Sequence, residues 1–354
     1  MGPGLFRLLL ASVVIAYHYS SLGLGHAAVY LFFILSGYWV YRMWEDKYRR
    51  TRSPYLTFVA SRIWRLAPVF LLCSAMACAT LMLMPLLIPT TLHFQPLRPN
   101  WRMISSVILL GYNSSAFQPL LPAWSLDIEM QFYLLAPFAL IWMKRQPVIA
   151  LAVVIGACGV LEMLYGQVLP TALPGYLPYF MMGMLAAQYP AFIHDKRYAT
   201  GSLTAVLLLL AAFLLVPDLR SALITGSHPG PLYKYNDALN VAVALAATPF
   251  ALSTVKNASG AFDKLMADLS YSVYLFHWIP NLVVMIYFPQ LATKSHAIRA
   301  VGLSGVLAAT YSVALLITFL VDRPANRARA RFVRARTVSN PPKVSTIPTV
   351  ADPA

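Results

Sequence analysis

Residues 63–86 read IWRLAPVFLLCSAMACATLMLMPL, an apolar run whose single charge, Arg65, sits near its start. As a helix rising about 1.5 Å per residue it is long enough to cross a hydrocarbon core roughly 30 Å thick. Outward from it in both directions, comparable stretches recur at 5–23, 27–44, 123–143, 148–166, 170–188, 201–217, 237–255, 269–289 and 298–321. Together they predict an all-α, polytopic membrane bundle of about ten transmembrane helices, embedded in the lipid bilayer of the cell (plasma or inner) membrane. Composition agrees: of 354 residues 59% are hydrophobic and 11% charged, with a mean hydropathy of +0.65, whereas soluble domains carry about 25% charged residues.

The net charge of +15 invites a polyanion partner until the basic residues are placed on the spans. With the N-terminus in the cytosol, Arg7, the cluster from Arg42 to Arg65, Lys144, Arg145, Lys196, Arg197, Lys256, Lys264 and the cluster from Arg323 to Lys343 all fall inside, 21 of the 27 Lys and Arg. That asymmetry follows the positive-inside rule, so the basicity reports an N-in, C-in topology and argues against nucleic acid. Cys73, Cys78 and Cys158 lie within apolar spans, lack metal-ligand spacing and read as core residues, so no metal is expected. The N-terminal run lacks a small-x-small cleavage site and is taken as the first helix. Residues 87–122 contain the apolar stretch Met103–Tyr112, which as a full span would invert every later loop; it is read as re-entrant or interfacial. The organisation expected is a membrane domain at 1–324 and a cytosolic tail at 325–354, basic and then Pro/Ser/Thr-rich, without fixed structure.

Ionisable residues inside spans are costly and mark function or pairing. Arg7 and His18 lie on nearly one face of the first helix, with His18 about 16 Å deeper. Histidine suits proton acceptance near neutral pH, so His18 is a candidate general base, the alternative being a His satisfied by a neighbouring helix. Arg62 and Arg65, in SRIWRLAPVF, share a face and offer guanidinium forks for phosphates, or else anchor the helix at the surface. In PAWSLDIEMQFYLLAPF, Ser125, Glu129 and Tyr133 share a face. Glu129 at similar depth could orient His18 as in a catalytic dyad, or form a structural interhelical pair. Asp127, nearer the water, caps its helix or binds acceptor hydroxyls. In LSYSVYLFHWIP, Ser270, Tyr274 and His277 share a face that lines a pocket or bridges helices. LVDRPANR reads as ordinary helix termination.

The ordered series Arg7-x10-His18, FFILSGYW at 32–39, SRIWRLAP at 61–68, the Asn113 loop leading to WSLDIEMQFYLLAP at 124–137, LSYSVYLFH at 269–277 and VDRP at 321–324 resembles acyltransferase family 3. These integral-membrane enzymes modify surface polysaccharides, Nod factors, glucans and some macrolides. The resemblance implies ten core helices, acyl-CoA as donor, essential Arg7 and His18, Arg62 and Arg65 near CoA, and Glu129 in the site. It departs where members often read WSLSVEEQFY: Asp127 replaces a Ser and Met130 the second Glu. The usual Glu-x-Pro is Asp322-Arg323-Pro324 here.

The expected function is therefore transfer of an acyl group, acetyl in the first instance, from acyl-CoA to a hydroxyl of a carbohydrate such as a surface polysaccharide. His18 and Glu129 are the expected catalytic residues and Arg7, Arg62 and Arg65 the donor contacts. Asn113, Trp124, Ser125, Asp127, Tyr274 and His277 are the expected substrate contacts. His18 either takes the proton of the attacking hydroxyl or carries the acyl group itself. The competing reading is a secondary transporter or flippase, which also uses intramembrane His and Glu, though the paired halves common in transporters are not seen.

Overall fold

In lipid a backbone must satisfy its own polar groups, and an isolated span does so as a helix. The computed structural model describes residues 1–20, 22–87, 107–115, 117–165, 172–189, 196–224, 230–257, 260–293 and 296–338, and these are helical with short connections and no strand. The helices are α1 Pro3–Tyr19, α2 Gly25–Asp46, α3 Pro54–Leu87, α4 Trp124–Arg145, α5 Pro147–Tyr165, α6 Leu177–Gln188, α7 Lys196–Leu215, α8 Pro217–Leu223, α9 Asn236–Thr254, α10 Ala261–Phe276, α11 Trp278–Tyr287, α12 His296–Ile317 and α13 Arg323–Arg336. A single turn at Gln290–Thr293 precedes α12, and a π-helical turn at Thr318–Asp322 joins it to α13. Among the described residues seven helical segments are long and apolar enough to cross a membrane, and α1 is a shorter apolar helix.

Several boundaries depart from the apolar runs. Helix α3 begins at Pro54, before its run, because a proline suits the first turn of a helix and the intervening residues continue it. The stretch at 170–188 yields only the 12 residues of α6, and the stretch at 269–289 divides at His277 into α10 and α11. Of the Met103–Tyr112 stretch, residues 103–106 lie outside the described residues; Gly111, at φ +84°, turns the chain into a 3-10 turn at Tyr112–Ser114. The region assigned to a tail starts as a helix, α13, and residues 339–354 lie outside the described residues.

Water exclusion does little between helices in lipid, so close packing and buried polar bonds fix the bundle. Helix α1, which carries Arg7 and His18, is held at both ends. Its N-terminus has no side-chain cap of its own, and Asp263 of α10 supplies one, accepting from the Gly4 and Leu5 amides at 3.1 and 2.9 Å. At the other end Asn281 of α11 donates to the His18 carbonyl at 3.2 Å. The turn into α2 is fixed by Asn240, which accepts from the Ala27 amide at 2.8 Å and donates to the Gly23 carbonyl at 2.7 Å. Helices α2 and α6 cross so closely that a Cβ on Gly37 would meet the Phe180 carbonyl, and one on Gly183 the Ile34 carbonyl. Phe180 then stacks between Phe33 of α2 and Phe132 of α4, at 4.7 and 4.0 Å. The glycine of the SGYW motif is thus a packing residue that brings α2, α4 and α6 around one centre.

Candidate active site

Three cavities run along α1. The first, on the face bearing the basic residues, has a volume of about 580 Å³ and is lined by Arg7, Arg65, Lys264, Arg323, Arg327 and Arg329 among others. The second, near the middle of the bundle, is narrow, about 60 Å³, and is lined by Arg7, Ser125, Glu129, Ser270, Tyr271 and Tyr274 among others. The third, at the opposite face, is about 360 Å³; His18, His26, Asn113, Trp124, Tyr176 and Tyr274 are on its wall. Arg7 borders the first and second cavities, and Tyr274 and Val29 border the second and third. One helix, capped at both ends, therefore sets the positions of a guanidinium at one boundary and an imidazole beyond the other.

Arg7 makes no hydrogen bond or ion pair among the described residues, and its Nε is buried without a partner. A buried cation so placed is costly unless something else compensates it. Glu129, across the middle cavity, accepts from Ser36 Oγ at 2.7 Å and from the Tyr133 hydroxyl at 2.5 Å, both on Oε1. Its Oε2 has no hydrogen bond among the described residues. The expected Glu129–His18 bond is not formed, because the carboxylate faces the middle cavity while His18 lines the next one. The His18 ring packs on Tyr17, His277 and Trp278, with centroids 4.9, 5.4 and 5.4 Å away, and neither ring nitrogen bonds a described residue. Tyr274 forms the boundary: its hydroxyl and that of Ser125 are 2.7 Å apart, and both reach the Pro122 carbonyl.

The chain matches the profile of an acyltransferase domain over residues 3–321, nearly its whole length. It belongs to acyltransferase family 3. Similar curated proteins are the O-acetyltransferases OatA of Staphylococcus aureus strains COL and MW2, each 34% identical over 160 residues. The match takes in 41% of this chain and 25% of the relative, so the chain covers about a quarter of the curated relatives' length. No solved structure matches. The chain is an acyltransferase-family membrane protein.

Several expected site residues of this family member are placed differently by the fold. Arg62 is buried against the rings of Tyr48, Phe58 and Tyr133 and donates to the Tyr48 hydroxyl at 2.7 Å, outside all three cavities. Arg65 does line the basic cavity, but its Nη1 bonds both carboxylate oxygens of Asp322 at 2.7 and 2.9 Å. Asp322, which reads as helix termination in the sequence, is thus its buried partner. Asp127 accepts from the Gly111 and Asn113 amides at 2.8 and 2.9 Å and from Gln131, so it neither caps its own helix nor faces an open cavity. It ties the Asn113 loop down, and Asn113 donates to the Trp124 carbonyl at 3.2 Å. His277 is fully buried behind His18, its Nδ1 donating to the Tyr274 carbonyl at 2.7 Å. The sequence reading missed Ser36, which lies beside Gly37 in an apolar motif, and His26, whose Nδ1 is 3.4 Å from Asp237. An intramembrane Ser beside a packing glycine is a usable signal; His26 carries none in the sequence.

Proposed function

We propose that the protein transfers an acyl group, acetyl in the first instance, from acyl-CoA arriving on the basic face to a carbohydrate hydroxyl bound in the opposite cavity. The positive-inside asymmetry makes the basic face cytosolic, with ten crossings and both termini inside the plasma (inner) membrane. One observation carries the reading: three cavities follow one another from a cluster of cations to an imidazole, with Arg7 and then Tyr274 on the walls that neighbouring cavities share. An extended pantetheine arm is comparable in length to the about 16 Å between Arg7 and His18 along the helix. The middle cavity, about 60 Å³ here, widens to admit the arm, and the free Oε2 of Glu129 accepts from its amide N–H. The thioester carbonyl then stands at Tyr274.

The acceptor sits on the aromatic wall of Trp124 and Tyr176, whose centroids are 5.4 Å apart. Its hydroxyl oxygen attacks the thioester carbon while His18 takes the proton. The Tyr274 hydroxyl turns from Ser125 to donate to the carbonyl oxygen as charge develops there. The C–S bond breaks, the thiolate leaves with the CoA, and the imidazolium returns its proton to the sulfur or to water. OatA is named for O-acetyl transfer, and the same reaction type is proposed here. The test is purified protein with radiolabelled acetyl-CoA and a panel of glycans. Base-labile label on a glycan, matched by CoA release, is the expected result. A solute flux without thioester cleavage would instead favour the transporter reading.

A further inference from the structure

We propose that helix α13, with Lys264, is a clamp for the phosphates at the nucleotide end of the donor. The proposal rests on the acyl-CoA reading above and adds to it a binding surface from a part of the chain that sequence patterns assign to a tail. Six cations and one carboxylate, Asp268, face the basic cavity. Asp268 is taken by Arg323, whose Nε lies 2.9 Å from it, and Arg65 is taken by Asp322. That leaves Arg7, Lys264, Arg327 and Arg329 with no carboxylate partner among the described residues.

Helix α13 is not a loose basic tail. Asp322 ties its start to Arg65 on α3, Val333 is fully buried, and Phe332 packs on Trp64 at 5.5 Å. Its end is stitched to the α2–α3 connection, the Arg52 amide donating to the Arg336 carbonyl and the Val338 amide to the Arg50 carbonyl, each at 3.0 Å. A helix serving only as a surface anchor would turn its arginines outward. Here Arg327 and Arg329 are on the cavity wall, and the Nε of Arg329 is buried without a partner. Burial, then the charges of Arg62 and Arg65, push the Arg329 guanidinium down to about 10. A multivalent anion relieves all of this at once, since guanidinium forks match phosphate oxygens and several bonds form together. Because Arg7 also borders the middle cavity, the pantetheine arm leaves past Arg7 and the nucleotide phosphates remain beside α13.

An anionic lipid headgroup carries the same phosphate chemistry, so the experiment separates the two sources. Purified protein in neutral detergent is titrated with CoA and with acetyl-pantetheine, which lacks the nucleotide. Arg327→Gln with Arg329→Gln, and Lys264→Gln separately, are compared with a control pair on the exposed side of the helix, Arg331→Gln with Arg334→Gln. CoA affinity is expected to fall about tenfold or more in the cavity variants, as for lost charge-assisted bonds, and to hold in the control. Use of acetyl-pantetheine should be unchanged. Equal CoA affinity in all variants would overturn the clamp while leaving the donor reading in place. Displacement of CoA's effect by cardiolipin, with no loss of CoA affinity in the variants, would assign the cavity to lipid. Failure of the wild type to bind CoA would remove the donor reading and the clamp with it.

Discussion

The two end cavities are lined by opposite chemistry on a shared helix. Around Arg7 the wall is guanidinium and ammonium, with its one carboxylate, Asp268, already paired; around His18 it is imidazole and aromatic ring, with no Lys or Arg on the wall. Phosphate binding needs the first kind of wall, because only fixed positive charge offsets the desolvation of a polyanion. A sugar needs the second, a flat apolar face with hydrogen-bonding edges. On the proposed function, the half-buried Arg7 and the half-buried His18 serve the two ends of one donor-to-acceptor route, with Tyr274 on the wall between them.

The largest effect that sharpens this division is at the imidazole end. His18→Ala should slow transfer by about 10²- to 10⁴-fold, the usual loss for a proton acceptor, without weakening CoA binding. A loss of CoA binding of similar size would merge the two regions. At the boundary, Tyr274→Phe should lower kcat by about 10²- to 10³-fold with little change in donor KM, as for a lost oxyanion donor. An effect confined to KM would make Tyr274 a wall only.

On the basic side, Asp322→Asn leaves Arg65 without its buried carboxylate and should cost about 3 kcal/mol of stability, read as a lower melting midpoint in detergent. An unchanged midpoint would show that the pair is not holding α3 to α13. The smallest effect should be at the aromatic wall: Trp124→Ala is expected to raise the acceptor KM about tenfold, from lost stacking area, while CoA release into water persists. Equal loss of both activities would indicate a packing role for the ring.

How much of this was legible in sequence follows from distance along the chain. Apolar run length gave the helical class, and the Arg7 and His18 spacing gave two positions on one helix face, because both are local properties of a helix. The family series carried the acyltransferase assignment that the match over residues 3–321 bears out. The partners were not legible. Ser36 bonds Glu129 across 93 positions and Arg65 bonds Asp322 across 257, and periodicity within one helix holds no information about which helix faces it. The pairing of Glu129 with His18 looked natural from equal depth alone; depth does not say which side of Tyr274 a carboxylate faces. The arginines of α13 resembled topological charge because inward and outward arginines have the same composition.

The central claim is that donor and acceptor act from opposite faces. It is tested most directly in sealed membrane vesicles of defined orientation, with radiolabelled acetyl-CoA supplied outside and base-labile label measured on glycan. Inside-out vesicles, which present the basic face to the added donor, should incorporate label, and right-side-out vesicles should not unless permeabilised. Incorporation in intact right-side-out vesicles alone would contradict the account.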